Sequence, residues 1–165
     1  MSSDPFQNDL NAPGLLPTDA IAVRALTAGD LQAIVKIDAV SMGRSRDEYY
    51  RAKVGEALEQ GTGPRTSLVA EIDGHAVGFL LAKVYFGEFG QSEPVAVIDS
   101  VGVDPRFRGQ HVGQALLRQL LVNLRALRIE RIRTEVDWTQ LDLLTFLQRN
   151  AFSPAPRFCL ERRLD

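Results

Sequence analysis

The chain has 165 residues, 45% of them hydrophobic and 24% charged, with 19 basic and 21 acidic side chains giving a net charge of −2. That length suits one domain with a real core, and the near-neutral balance excludes a general nucleic-acid footprint. The single cysteine, Cys159, excludes an internal disulfide framework, and no apolar run approaches the roughly 20 residues of a membrane span.

Residues 1–20 hold three prolines and many turn formers, so a flexible tail is expected there, clamped onto the body by Phe6, Leu15 or Leu16. The tail lacks the basic and apolar regions of a signal peptide, and with the lone thiol this makes the cytoplasm the expected compartment. Residues 21–165 are expected to form a single domain. "AIAVRAL" reads as a first strand, and Thr27 with Asp30 has capping-box spacing ahead of a helix that breaks at Gly43. Ser45 with Glu48 opens a second helix, ending near Gln60 before "GTGP".

The period then changes. "TSLVAEID" and "HAVGFLLAKVYF" are β-rich runs joined at Asp73-Gly74, a strong hairpin signal. "PVAVIDSVGV" is a nearly continuous apolar run, as in a central strand. A helix is predicted over Val112 to Leu127, with Leu116, Leu120, Leu124 and Leu127 on one face. "RIRTEVDW" reads as a further strand. Thr139 with Asp142 has capping-box spacing before a helix over "QLDLLTFLQRN", and "PRFCLERRL" as a last strand. Cys159 lies in that apolar run and is expected to pack.

The order β-α-α-β-β-β-α-β-α-β makes this an α/β chain. It implies a mixed central sheet, antiparallel strands followed by a parallel βαβ crossover, flanked by about four helices. Ligands bind at the carboxyl ends of such strands, where "RFRGQHVGQALL" lies. A turn that enters a helix there leaves N–H groups without intrahelical partners, and the helix dipole adds partial positive charge. Gly109 and Gly113 let the backbone approach an anion, and Arg106 and Arg108 add mobile charge. The Lys-Ser or Lys-Thr of a Walker loop and the three glycines of a dinucleotide fingerprint are both missing.

"VGVDPRFRGQHVGQALL" resembles the acyl-CoA-binding segment of GNAT-type N-acetyltransferases, a strand ending Val-x-Pro followed by Arg or Gln, two residues, Gly, one residue, and Gly or Ala. Arg108 fills the first position and Gly113 the last, while His111 stands where the family most often has Gly. The resemblance covers Ile21 to Leu164. It extends more weakly to "QLDLLTFLQRNAF", where Gln140, Leu147 and Ala151 replace the usual Asn, Tyr and Gly.

The resemblance implies that N–H groups from Arg108, Gly109, Gln110, His111, Val112, Gly113 and Gln114 bind the pyrophosphate of coenzyme A. The strand Val101, Gly102, Val103 would pair with the pantetheine arm, and the Val101 N–H would polarise the thioester carbonyl. An amine would attack acetyl-CoA directly, with no metal and no membrane or nucleic-acid partner. Family members often form dimers, which makes a homodimer the expected assembly. The acceptor could be a small molecule or a protein amino group; a non-catalytic acyl-CoA sensor or interaction module of the same fold is the alternative, kept open by Leu147 and Ala151.

Direct attack needs a proton acceptor. Asp99 is the leading candidate, because a carboxylate in an apolar strand is costly unless paired, hydrated or functional, and strand alternation predicts it on the side of Val101 and Val103. The competing reading is a buried acceptor for loop N–H groups or an arginine. Glu135, in "RTEVDW", could hold the substrate amine or simply pair with an arginine such as Arg133. Asp142 reads as a helix cap, Tyr85 and Trp138 as packing residues, and Glu88 and Glu93 as a solvated loop face. "RSRDEYYRAK", Arg44 to Lys53, could border the acceptor but reads first as a charged helix surface. The His111 imidazole is expected to face solvent.

Overall fold

The computed structural model describes residues 20–60 and 63–165. Apart from Ala20 the expected tail, with Phe6, Leu15 and Leu16, lies outside the described residues. The described chain divides into two compact units, one ending at Thr134 and one running from Glu135 to Asp165.

The first unit is built on five strands: β1 (Ala22–Ala25), β2 (Leu68–Ile72), β3 (His75–Tyr85), β4 (Val95–Val103) and β5 (Arg131–Thr134). They lie in chain order, antiparallel from β1 to β4 and parallel between β4 and β5. The Asp73-Gly74 pair forms the expected hairpin turn, both residues having positive φ. Four helices belong to this unit: α1 (Leu31–Met42), α2 (Asp47–Glu59), the single turn α3 (Gly63–Thr66) and α4 (Val112–Ala126). α2 ends at Glu59, where the break at "GTGP" is expected, and the turn α3 follows from Gly63. Thr27 and Asp30 do cap the chain into α1, with the Thr27 N–H donating to Asp30 Oδ2 at 2.8 Å.

The alternation of β3 sorts the core between two faces. Phe79 and Leu81 join Ile34, Ile37, Tyr50, Val54 and Ala57, burying the apolar stripes of α1 and α2. Gly78 points the other way: a Cβ there would stand 2.7 Å from Val112 Cγ1 and 3.3 Å from Leu116 Cδ1. The missing side chain at Gly78 lets α4 approach the sheet closely. Leu116, Leu117, Leu120 and Leu124 are buried along α4, each worth about 1.5–3 kcal/mol as transfer from water. This fixes the N-terminus of α4 just past the end of β4.

One irregularity matters for function. Leu81 pairs with Ser100 and Ala82 with Ile98, so Asp99 is an extra residue, a β-bulge in β4. The parallel pairing with β5 also ends there, its last pair being Ile98 with Thr134. Thr134 Oγ1 donates to the Ile98 carbonyl at 2.9 Å and pins the strands where they part.

The second unit contains α5 (Leu141–Arg149). The Thr139–Asp142 capping box does not form; Asp137 instead accepts from the Thr139 N–H at 2.8 Å and from its hydroxyl at 2.5 Å. The predicted last strand is also absent: residues 157–165 have no regular structure, and Phe158, Cys159, Leu160 and Leu164 are exposed. The alternation in "PRFCLERRL" suits a strand, but a strand also needs a neighbour, and within its own unit this segment has none. The packing role expected for Cys159 fails for the same reason.

Candidate functional site

After β4, Asp104 turns the chain. Its side chain accepts from the Arg106 N–H at 3.0 Å and pairs with the Arg106 guanidinium at 2.7 Å. Arg108 reaches Ser41 on α1 at 3.0 Å. The two arginines therefore have partners and are not the mobile charges that the sequence suggests. Gly109 has φ +73° and His111 φ +65°, and the first backbone bond of α4 runs from the Ala115 N–H to the His111 carbonyl at 2.9 Å. The N–H groups of Val112, Gly113 and Gln114 are thus the unsatisfied first donors of a 15-residue helix. Left-handed residues alternating through a turn gather successive N–H groups into an anion-binding hollow.

His111 departs from expectation. Its Nδ1 donates to Gln114 Oε1 at 3.0 Å, while its Nε2 is shut off from solvent without a hydrogen-bond partner. The ring does not face solvent. A non-glycine residue in this backbone region carries a strain of about 1–2 kcal/mol.

The second part of the site is the edge of β4. The Asp104 N–H donates to the Val77 carbonyl at 2.8 Å. In an antiparallel ladder bonded residues alternate with unbonded ones, so Gly102 and Ser100 spend their backbone groups on β3. The N–H and C=O of Val103 and Val101 turn to the opposite edge. Among the described residues no strand pairs with that edge beyond Ile98. A slot with two outward-facing donor–acceptor sets therefore leads from the bulge to the anion hollow. Gly102 contributes no free backbone donor to it, against the sequence expectation for that residue.

The third part lies on the α1–α2 face. The bulge reverses the predicted direction of Asp99: its carboxylate meets Lys53 Nζ of α2 at 3.3 Å. It is thus on the side of Ser100, which pairs with Leu81 of the α1–α2 core, and not on that of Val101 and Val103. Nor is Asp99 buried; about a third of its side chain is open to solvent. Burial pushes the Lys53 ammonium down, but the Asp99 carboxylate and the nearby Tyr49 outweigh it, so the net direction is up. The ammonium also stands 5.7 Å from the centroid of the Tyr49 ring.

Behind this pair sits a buried network. Arg46 donates to both Asp38 oxygens at 2.9 and 2.5 Å, and the Tyr50 hydroxyl donates to Asp38 Oδ1 at 3.0 Å. Burial raises the Asp38 carboxyl, yet the Arg46 and Tyr50 hydrogen bonds prevail and hold it below the usual carboxylate range. Burial, then Asp38, push the Tyr50 hydroxyl well above an ordinary phenol, with the Arg46 charge the larger of the influences opposing them. Tyr50 is therefore a fixed neutral donor that ties α2 to α1 through Asp38.

Asp99, Val101 and the turn from Arg108 to Gln114 follow one another along β4 and the start of α4. β5 stops at Thr134, and Glu135, the next residue, is exposed and belongs to the second unit. Asp142 and Trp138 are exposed in that unit as well. Glu93 pairs with Arg131 at 3.5 Å, Glu88 is half-buried in its loop, and Tyr85 is half-buried at the end of β3. Sequence reasoning passed over Lys53, Tyr50 and Ser100 as individual residues. The signal for the first two was present, as two tyrosines and a lysine with helical spacing inside "RSRDEYYRAK". Among the described residues no group of three or more His, Cys, Asp or Glu could hold a metal, and no helix is long and apolar enough to cross a membrane.

Comparison with known proteins adds an independent line. Residues 31–152 match the family model described as acetyltransferase (GNAT) family. No curated protein matches the chain. Among solved structures, a transcriptional regulator from Bacillus halodurans C-125 is 21% identical with a TM-score of 0.72, covering 87% of this chain and 99% of its own. Aminoglycoside N-acetyltransferase AAC(6')-Iy in complex with CoA is 18% identical with a TM-score of 0.71, covering 87% and 94%. A ribosomal-protein-alanine N-acetyltransferase from Brucella melitensis biovar Abortus 2308 is 18% identical with a TM-score of 0.70, covering 88% and 100%. At these identities the likeness speaks for the fold.

Proposed function

The chain belongs to the acetyltransferase (GNAT) family, and from that premise we propose that it moves the acetyl group of acetyl-CoA onto a primary amine by direct attack. The observation that carries this reading is the free edge of β4. It ends at the turn whose unsatisfied N–H groups suit a pyrophosphate, and it begins at a carboxylate. In this reading the N–H groups of Gly109 to Gln114 hold the pyrophosphate, with Gly113 leaving room beside it. The backbone of Val101 and Val103 pairs with the pantetheine arm, and the Val101 N–H stabilises negative charge on the thioester oxygen. Asp99 takes a proton from the acceptor ammonium, which approaches from the α1–α2 face because α4 covers the other side. No side chain among Asp99, Ser100 and Tyr50 is needed as a strong acid, since a thiolate with an ordinary thiol pKa near 8.5 can leave without one.

The acceptor class follows from chemistry and kinship together. The similar structures named above include an aminoglycoside acetyltransferase and a ribosomal-protein-alanine acetyltransferase, both acting on amines. A small-molecule amine or a protein amino group therefore fits, in a cytoplasmic enzyme that assembles as a homodimer. A non-catalytic acyl-CoA-binding role is the second reading, favoured by the lysine already occupying Asp99 and by Leu147 in place of a tyrosine.

Calorimetric titration with acetyl-CoA tests the cradle: wild type binds, and Gly113→Trp loses binding while keeping its far-UV spectrum. Intact binding by the variant would refute the assignment. Thiol release across a panel of amines and peptides then separates the enzyme, which turns over at least one acceptor, from the sensor, which turns over none.

A further inference from the structure

The chain contains three lysines, Lys36, Lys53 and Lys83, and one of them already stands where an acceptor amine belongs. Lys53 Nζ is 3.3 Å from Asp99 Oδ1, on the α1–α2 face of the β4 bulge, and its side chain is about one quarter exposed. Lys83 is engaged with Glu56 and about one sixth exposed. Lys36 is an exposed residue of α1. We propose that Lys53 is itself an acceptor, so that the protein acetylates its own α2 helix at this residue. The inference rests on the acetyl-transfer reading above and names one substrate of that same site.

Three observations support it. The Val101 N–H, two residues beyond Asp99, turns into the slot, so a thioester carbonyl bonded to it lies beside the bulge. A nucleophile must reach that carbonyl from a face of the sheet, and α4 packs on one face through Gly78. The other face carries Lys53 beside the bulge, where the Asp99 side chain is partly open to solvent. Finally, α2 is anchored beneath the pair by Tyr50 and Arg46 on Asp38, which holds the amine near the acyl position as a tethered reactant.

The step balances with acetyl-CoA as the only co-reactant. The Lys53 ammonium gives one proton to Asp99, and its nitrogen lone pair forms the bond to the acetyl carbon. The carbon–sulfur bond breaks and its electron pair leaves on the coenzyme A sulfur. The nitrogen loses a second proton to become the amide; one of the two protons ends on the thiol and the other in solvent. The product amide is neutral, so the ion pair with Asp99 is lost.

The experiment incubates the full chain with acetyl-CoA and follows acetylation by intact mass and peptide mapping. Lys53 is expected to gain one acetyl group at least about tenfold faster than Lys36, which serves as the internal measure of uncatalysed reaction. The rate should not change with protein concentration, as a tethered acceptor requires. Gly113→Trp should lower labelling of Lys53 to the rate of Lys36 without altering Lys36, and Lys53→Arg should remove the fast phase. Equal rates at Lys53 and Lys36 in a protein that binds acetyl-CoA by calorimetry would overturn the proposal while leaving acetyl transfer to other amines standing. Failure to bind acetyl-CoA at all would overturn both. A rate at Lys53 proportional to protein concentration would overturn the tethered reaction in favour of one chain modifying another.

Discussion

Asp99 carries its meaning through its environment. A carboxylate at the end of an apolar run suggests burial, whereas the bulge turns it outward to an ammonium and to water. Its replacement tests the proton-transfer role directly. Asp99→Asn should lower kcat by about a hundredfold or more, the scale of a general base, with the calorimetric affinity for acetyl-CoA unchanged; unaltered turnover would remove Asp99 from the mechanism. His111 offers a second test, of strain. It occupies a left-handed backbone position and leaves Nε2 enclosed without a partner. His111→Gly relieves both costs but gives the unfolded chain more freedom. A net gain of about 1 kcal/mol in urea unfolding is expected from the relieved backbone strain, and a loss of stability would show that the imidazole packs more favourably than its bare nitrogen suggests.

At the scale of elements, the site depends on where α4 begins. Gly78 allows the helix to sit close to β3, and the first N–H groups of α4 consequently lie past the end of β4. A methyl group at Gly78 would press on Val112 and Leu116. Gly78→Ala should therefore cost about 1–3 kcal/mol through overpacking, and should also weaken acetyl-CoA binding, because the helix must retreat with its N–H groups. Calorimetry and denaturation on the same variant check this; lost stability with unchanged affinity would separate the packing from the cradle. These relations also explain what was readable beforehand. The alternation of β3, the leucine spacing of α4 and the glycine-bearing turn are local patterns, and each element formed where its pattern lay. The bulge is not local, since it is defined by the register against β3. One unpredicted slip therefore reversed Asp99, shifted the polar contacts onto α2 and brought Lys53 into the site. The last strand failed for a related reason: a strand pattern in residues 157–164 specifies no partner.

At the scale of the molecule, two buried ion-paired carboxylates each fasten one element to the next, β1 to the entry of α1 and α1 to the entry of α2. Asp30 pairs with Arg24 at 2.7 Å and Asp38 with Arg46 at 2.5 Å. For both carboxyls burial raises the pKa, but the hydrogen bonds from the arginines and neighbouring hydroxyls exceed it and the folded value lies below the unfolded 3.8. Their stabilisation is therefore complete above that value and is lost as pH falls through the lower folded values. Denaturation midpoints should be flat from neutral pH down to about pH 5 and fall steeply below about pH 4. Asp38→Asn should cost about 3 kcal/mol at neutral pH, as for a buried pair deprived of one partner, and should make the acid decline shallower. A decline of unchanged steepness would place the acid sensitivity elsewhere. The bulge has one more consequence. Because it is an added residue, its effect depends on chain length at that point as well as on the aspartate side chain. Substituting Asp99 changes the chemistry and leaves the slot in place. Deleting it would remove the bulge itself: Ser100 would follow Ile98 directly opposite Leu81 and Ala82, and the ladder with β3 would run unbroken past the point where β4 and β5 part. In this strand a one-residue deletion and a point substitution are different experiments, and the deletion is the one that asks whether the protein needs its opening.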